Sequence, residues 1–94
     1  MREKLPHLPA SPGVYLFKDE AGRYLYVGKA RSLKNRVRQY FRKGGGLNPR
    51  IEAMLERARD LEYIVTDSEV EALVLESNLI KEHRPRYNVV LRDD

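Results

Sequence analysis

The chain has 94 residues, 41% of them apolar, which is enough for one compact domain but not for two that fold independently. It contains no cysteine, which excludes a disulfide framework and a thiolate metal site and leads us to expect a cytoplasmic protein. Residues 1–12 hold no apolar run long enough for a signal peptide or a membrane span. We therefore expect a single domain that does not enter a membrane.

The net charge of +4 conceals two halves of opposite charge. Eight basic residues and no acidic residue lie between Lys29 and Arg50, whereas nine acidic residues and three basic ones lie between Glu52 and Glu82. A basic block attracts polyanions such as nucleic acid, but it is equally typical of a solvated helix face. The charge pattern alone leaves both interpretations open.

The first half of the chain predicts a β-hairpin followed by a basic helix. Residues 14–18 and 24–27 are rich in aromatic and β-branched side chains, and the segment between them has turn chemistry. Ser32 is a suitable N-cap for a helix whose apolar positions recur at helical spacing. These positions are Leu33, Val37, Tyr40 and Phe41. The basic side chains of Lys34, Arg38 and Arg42 then lie on the opposite side of this helix.

The second half predicts two more helices with a strand between them. Gly44, Gly45 and Gly46 break the basic helix, and Asn48 with Pro49 begins the next one, whose apolar positions are Ile51, Met54, Leu55 and Ala58. Residues 61–66 have strand composition, and Ser68 with Glu71 forms a capping box that opens a helix reaching about Glu82. A further extended segment is possible at residues 88–91. The expected fold class is α+β, with a small antiparallel or mixed sheet of about three strands flanked by helices.

Glu76, on the third predicted helix, is the most informative single residue. Its neighbours three and four positions away are Ala72, Leu73, Leu79 and Ile80, all of them apolar. A carboxylate on a buried surface is costly unless it is paired or bound to a metal. An ion pair with an arginine and a site for Mg²⁺ or Mn²⁺ both remain open, whereas zinc would need nearby histidines or cysteines.

Tyr15, Tyr24 and Tyr26 lie close together in sequence, and Lys29 follows them. Tyrosines in strands usually pack in a core. We expect Tyr24 and Tyr26 to share one face of their strand, with Lys29 at its end, where an ammonium makes a phenol easier to deprotonate. Arg36 is placed to bind a phosphate at the same end.

The triplets Gly13-Val14-Tyr15 and Tyr26-Val27-Gly28 resemble the paired signature of the GIY-YIG nuclease superfamily, with valine in place of both isoleucines. Arg36 and Glu76 match two further positions of that pattern. The segments 12–15, 26–30 and 71–88, with the ending 89–94, resemble the N-terminal domain of the UvrC family. This resemblance covers nearly the whole chain.

The resemblance implies that residues 1–94 form a single GIY-YIG catalytic domain, excised from the N-terminus of a longer protein. It also implies that the domain hydrolyses a phosphodiester bond on the 3′ side of a lesion in nucleotide excision repair. The substrate would be damaged double-stranded DNA, located beforehand by UvrA and UvrB. UvrB would be bound by parts of the longer protein that are missing here.

Carried over residue by residue, the resemblance makes Glu76 the ligand of a divalent cation, Mg²⁺ or Mn²⁺. Tyr26 becomes or assists the general base, and Arg36 stabilises the charge that develops on phosphorus. The catalytic site is completed by Tyr15, Lys29, Tyr40 and Asn88. Contacts with the DNA backbone are expected from Lys29, Arg31, Lys34, Arg38, Arg42 and Lys43.

Two other functions remain as alternatives. One is a non-catalytic nucleic-acid-binding module, in which the tyrosines only pack and Glu76 pairs with an arginine. The other is a GIY-YIG endonuclease outside repair, which would keep the same fold and chemistry.

Overall fold

A computed structural model of the protein describes residues 1–42 and 48–88. A 3₁₀ helix at Arg2–His7 is followed by the other elements, which are β1 (Gly13–Lys18), β2 (Tyr24–Ala30), α1 (Leu33–Tyr40), α2 (Pro49–Arg57), β3 (Asp60–Val65) and α3 (Glu69–His83). The three strands form one antiparallel sheet in the order β2-β1-β3. The α+β class is confirmed, but the sequence did not predict the 3₁₀ helix.

The predicted glycine break at residues 44–46, the DNA contact expected from Lys43 and most of the segment predicted at 88–91 lie outside the described residues. Among the described residues, no helix is long and apolar enough to cross a membrane.

The sheet has helices on both faces. On one face, Tyr15 and Phe17 of β1 pack with the buried residues of α1 and α2, among them Leu33, Val37 and Met54. On the other face, a smaller cluster joins the sheet to α3 through Val14, Leu16, Val27 and Ala72. Because neighbouring side chains of a strand point to opposite faces, β1, which is buried from Gly13 to Phe17, supplies both clusters.

The three helices begin where their caps predict. The side chains of Ser32, Asn48 and Ser68 accept hydrogen bonds from the backbone N–H three residues ahead, at 3.3, 2.9 and 3.1 Å. Glu71 reaches back to the N–H of Asp67 at 2.6 Å, one residue earlier than in the usual capping box. These caps satisfy amide groups that no helical carbonyl can reach.

A β-bulge in β2 corrects one expectation about the tyrosines. Tyr26 lies opposite Phe17, but Tyr24 lies opposite Lys18, so Leu25 is an extra residue without a partner. Tyr24 therefore lies on the α3 face, where its hydroxyl donates to Glu62 at 3.2 Å, and Tyr26 lies on the α1 face. The prediction that these two tyrosines share a face was wrong.

The outer surface of α3 is apolar and exposed. Val70, Leu73 and Val74 are between 50% and 70% exposed, as is Val65 of β3 at 50%. The expectation that all four apolar neighbours of Glu76 are buried was therefore only partly right, because Ala72 is buried and Leu73 is not. Helix α3 covers the sheet with one side, and nothing in residues 1–42 and 48–88 covers its second apolar side.

Two leucine-to-alanine substitutions test this division. Leu16→Ala removes a side chain that is 2% exposed and should lower the free energy of unfolding by about 2–5 kcal/mol. Leu73→Ala removes one that is 50% exposed and should change it by no more than about 0.5 kcal/mol. Urea denaturation of both variants is the measurement, and equal losses would contradict the described position of α3.

Candidate active site

Three tyrosines form a cluster on the α1 side of the sheet. Tyr15 of β1 lies with its ring centroid 6.4 Å from that of Tyr26 of β2 and 5.6 Å from that of Tyr40 of α1. The hydroxyls of Tyr15 and Tyr40 are hydrogen-bonded at 2.6 Å. Tyr15 and Tyr40 are buried, at 1% and 8% exposure, whereas Tyr26 is half-buried at the edge of the cluster.

Gly28 makes room for this cluster. It lies directly opposite Tyr15 in the β1–β2 pairing, and a Cβ atom at this position would overlap the ring and the hydroxyl of Tyr15. The glycine is therefore required by close approach, not by an unusual backbone angle. This gives a physical reason why a Tyr in one strand and a Gly in the other occur together in the two triplets.

A small opening of about 300 Å³ lies next to the cluster. Its lining residues come from β2, α1 and α2 and are Tyr26, Arg36, Gln39, Tyr40, Asn48, Arg50 and Ile51. Of these, the sequence proposed Tyr26, Arg36 and Tyr40 as site residues. It missed Gln39, Asn48 and Arg50, although Arg50 belongs to the basic block that the charge count revealed.

Arg36 brings a positive charge to this opening. The neighbouring Tyr15 hydroxyl raises the pKa of Arg36 further above its ordinary value, and Tyr40 and Tyr26 act in the same direction. Arg36 is an exposed residue of α1. It is a fixed cation that can form paired hydrogen bonds with a phosphate.

The tyrosines of the cluster hold their protons firmly. Burial raises the pKa of Tyr26 to about 12, and Tyr40 and Glu76 raise it as well, while Arg36 lowers it. Burial is also the main cause that raises the pKa of Tyr15 and of Tyr40. The expectation that a neighbouring ammonium eases ionisation of Tyr26 was wrong, because Lys29 lies opposite Val14 and so on the other face of the sheet.

Glu76 of α3 is a half-buried carboxylate, and burial raises its pKa, while Lys29 lowers it. No ion pair joins Glu76 to a basic side chain within residues 1–42 and 48–88. The alternative that Glu76 forms an ion pair with an arginine is therefore not observed among the described residues. Nor do the described residues contain a group of three or more His, Cys, Asp or Glu side chains that could share a metal ion.

Asn88 lies behind the site instead of lining its opening. Its side-chain carbonyl accepts from the N–H of Val27 at 2.8 Å, and its side-chain amide donates to the carbonyl of Val27 at 3.0 Å. The N–H of Tyr87 also donates to Leu25 at 2.9 Å. The segment after α3 thus pairs with the outer edge of β2 like a short additional strand, and it holds the strand that carries Tyr26.

The residues expected to contact DNA lie partly on α1 and partly on the α3 side of the sheet. Arg38 and Arg42 are exposed on α1, and Lys34 is half-buried beside them. Arg31 forms an ion pair with Glu69 of α3 at 3.0 Å, so part of its charge is already compensated. Lys29 is exposed on the α3 side of β2, next to Glu76.

Comparison with known proteins agrees with this geometry. The model of the UvrC-like GIY-YIG domain matches residues 11–89. The chain is 61% identical over 92 residues to UvrABC system protein C of Carboxydothermus hydrogenoformans and 60% identical over 94 residues to that of Gloeobacter violaceus. These matches include 98% and 100% of this chain, respectively. The chain spans about 15% of the length of each relative.

A solved structure of the N-terminal endonuclease domain of UvrC from Thermotoga maritima, bound to magnesium as its catalytic divalent cation, has a TM-score of 0.83 to this chain. The identity is 44%, and the match covers 94% of both chains. Variants of that domain with one tyrosine replaced by phenylalanine, or one asparagine by alanine, are also bound to the catalytic cation.

The three-stranded sheet, its flanking helices and the tyrosine cluster define a GIY-YIG endonuclease domain. Within that class, the chain belongs to the UvrC-like GIY-YIG domain family.

The raised pKa of Tyr26 predicts how stability depends on pH. A phenol whose pKa is 10.0 when unfolded and about 12 when folded stabilises the protein fully below pH 10, and this contribution is lost as the pH rises from 10 to 12. Tyr26→Phe should therefore lose less stability than the parent protein across this interval. Urea denaturation at a series of pH values checks this.

The ultraviolet absorbance of ionised tyrosine, measured as a function of pH, provides an independent control. Subtracting the tyrosinate absorbance of Tyr26→Phe from that of the parent should leave one transition near pH 12. A difference transition near pH 10 would show that Tyr26 is not perturbed.

Proposed function

We propose that this domain hydrolyses a phosphodiester bond of damaged double-stranded DNA on the 3′ side of the lesion, leaving a 3′-hydroxyl and a 5′-phosphate. It would act in the UvrABC system, together with UvrB and after UvrA. The observation that carries the proposal is that the Arg36 cation and the Tyr26 hydroxyl line the same opening. Glu76, which has no ion-pair partner in the described residues, lies near enough to Tyr26 to raise its pKa.

Glu76 fits the role of ligand to Mg²⁺ or Mn²⁺. Its oxygen atoms are the ligands that these hard cations prefer, and such cations commonly keep several waters and bind through one or two carboxylates. Burial disfavours the negative charge of Glu76, and this penalty is relieved by an opposite charge. The bound cation supplies charge neutralisation at the scissile phosphate and stabilisation of the leaving oxygen.

Arg36 binds the phosphate next to the scissile bond and stabilises the negative charge that grows on its oxygens. Tyr26, beside it, keeps its proton at neutral pH and donates a hydrogen bond to the attacking water or to a phosphate oxygen. Its assignment as general base requires a nearby positive charge to lower its pKa from about 12.

The other residues of the site are assigned supporting roles. Tyr15 and Tyr40 hold α1, and with it Arg36, against the sheet through their shared hydrogen bond. Asn88 holds β2 in place through Val27. Lys29 lies near Glu76 and moderates its charge, and Lys34, Arg38, Arg42 and Lys43 position the DNA backbone without reading its sequence.

We also propose that residues 1–94 are the single N-terminal catalytic domain of a longer protein. The short span of the chain along its relatives supports this. The remaining parts of such a protein would contact UvrB and make the cut on the 5′ side.

Binding of Mg²⁺ should stabilise the folded chain against unfolding. At a Mg²⁺ concentration about 100 times its Kd, the free energy of unfolding of the parent chain should rise by about 2.7 kcal/mol. Glu76→Gln should show no such gain, but it should be more stable than the parent at neutral pH without Mg²⁺, because it removes a charge that burial disfavours.

Thermal unfolding with Mg²⁺ and with EDTA is the measurement. Glu82→Gln is the matched control, since Glu82 is exposed near the end of α3, and it should keep the response to Mg²⁺. A full Mg²⁺ response in Glu76→Gln would remove Glu76 as the ligand.

Strand cleavage tests the reaction itself. In the longer protein with UvrA and UvrB, Glu76→Gln should abolish the 3′ cut of a duplex that carries a lesion, and Arg36→Ala should slow it by about 100- to 1000-fold. Both variants should still make the 5′ cut on a substrate that is already nicked on the 3′ side.

Arg23→Ala is the control for a lost positive charge, because Arg23 lies in the hairpin turn with an 83% exposed side chain. Its 3′ cut should proceed at the parent rate. Unchanged 3′ cutting in Glu76→Gln and Arg36→Ala, with normal DNA binding, would leave a nucleic-acid-binding module instead of a nuclease.

A further inference from the structure

A second, larger groove lies between the N-terminal 3₁₀ helix and α1. Its volume is about 990 Å³, and its lining residues are Arg2, Leu5, Pro6, Lys34, Asn35, Arg38, Gln39, Phe41 and Arg42. Four of these are basic and none is acidic. Leu5 and Phe41 are half-buried against the main core, which makes the floor of the groove apolar and its rim positively charged.

The 3₁₀ helix is fixed in place, so the groove is a built feature of the fold. The N–H groups of Leu33 and Lys34 at the start of α1 donate to the carbonyls of Ser11 and Pro9, at 2.9 and 3.0 Å. On its other side, Lys4 donates to the carboxylate of Asp60 and to the carbonyl of Leu61, both at 2.8 Å. The segment before β1 is thus tied to α1 and to β3.

The positive charges of the groove are uncompensated within the part of the chain that the structure describes. Arg2, Lys34, Arg38 and Arg42 take part in none of the ion pairs there. Arg2 lies with its guanidinium 5.0 Å from the centre of the Phe41 ring, which holds its charge at the groove. Four like charges around one groove repel one another, and a polyanion would relieve this repulsion.

Gln39 connects this groove to the candidate active site, because it lines both openings. The two openings lie on either side of α1. A strand that crosses α1 at Gln39 would place phosphates of nearby nucleotides in the two openings.

We propose that the groove between the 3₁₀ helix and α1 is a second binding site for DNA backbone phosphate, connected to the candidate active site through Gln39, and that Arg2 contacts this phosphate. The inference rests on the proposed function and adds to it a direction for the DNA strand, across α1 toward the N-terminus. It also gives the 3₁₀ helix, which the sequence did not predict, a role in positioning the substrate.

The test is the salt dependence of DNA binding by the chain, measured by fluorescence anisotropy of a labelled duplex with EDTA present so that no cutting occurs. The slope of log affinity against log salt is negative, and each lost phosphate contact should reduce its magnitude by about 0.9. Arg2→Ala should reduce the magnitude of the slope by about this amount, and Lys34→Ala with Arg38→Ala by one to two units. Arg2→Lys keeps the charge and should keep the slope.

Arg23→Ala is again the matched control, and its slope should equal that of the parent. Equal slopes for Arg2→Ala and the parent, with an unchanged thermal midpoint, would overturn the proposal. The salt dependence and the cleavage reaction can fail independently. A shallower slope in Arg2→Ala, together with unchanged 3′ cutting by Glu76→Gln and Arg36→Ala in the longer protein, would keep the groove and reject this domain as the nuclease. An unchanged slope with a 3′ cut that depends on Glu76 would do the reverse.

Discussion

The packing of Tyr15 over Gly28 is the contact on which the rest of the site depends. Because the glycine has no side chain, the ring of Tyr15 lies against β2 and its hydroxyl reaches Tyr40 of α1 at 2.6 Å. That hydrogen bond joins the sheet to the helix that carries Arg36. A larger residue at position 28 would displace the ring, and the displacement would be transmitted to α1 and its cation.

The outer edge of β2 is the second constraint. A strand at the edge of a sheet has unpaired N–H and C=O groups, and here Asn88 and Tyr87 pair with three of them, on Val27 and Leu25. The side chain of Asn88 imitates a peptide group, with one acceptor and one donor. Tyr26 lies between the two residues held in this way, so its position is fixed by both neighbours in the chain.

The sequence predicted what depends on local chemistry. Ser32, Asn48 and Ser68 begin the three helices as expected, since a cap acts within three residues of itself. It could not predict the bulge at Leu25, because no residue pattern in β2 indicates which residue lacks a partner in β1. The bulge nevertheless turns Tyr24 to the opposite face of the sheet. Nor could the sequence predict the 3₁₀ helix, whose contacts with α1 and Asp60 are all long-range. Asn88 was found by resemblance, but its pairing with Val27 required the structure.

The arrangement of charge explains why the centre of the site consists of tyrosines. In the proposed mechanism Arg36 attracts a phosphate and Glu76 attracts a cation, so the two side chains would lose these roles if they paired with each other. No such ion pair is present in the described residues, and Tyr26 feels the charge of both. A phenol whose pKa is about 12 is neutral at physiological pH. It therefore compensates neither charge, and in the proposed mechanism it offers its hydroxyl group to the substrate.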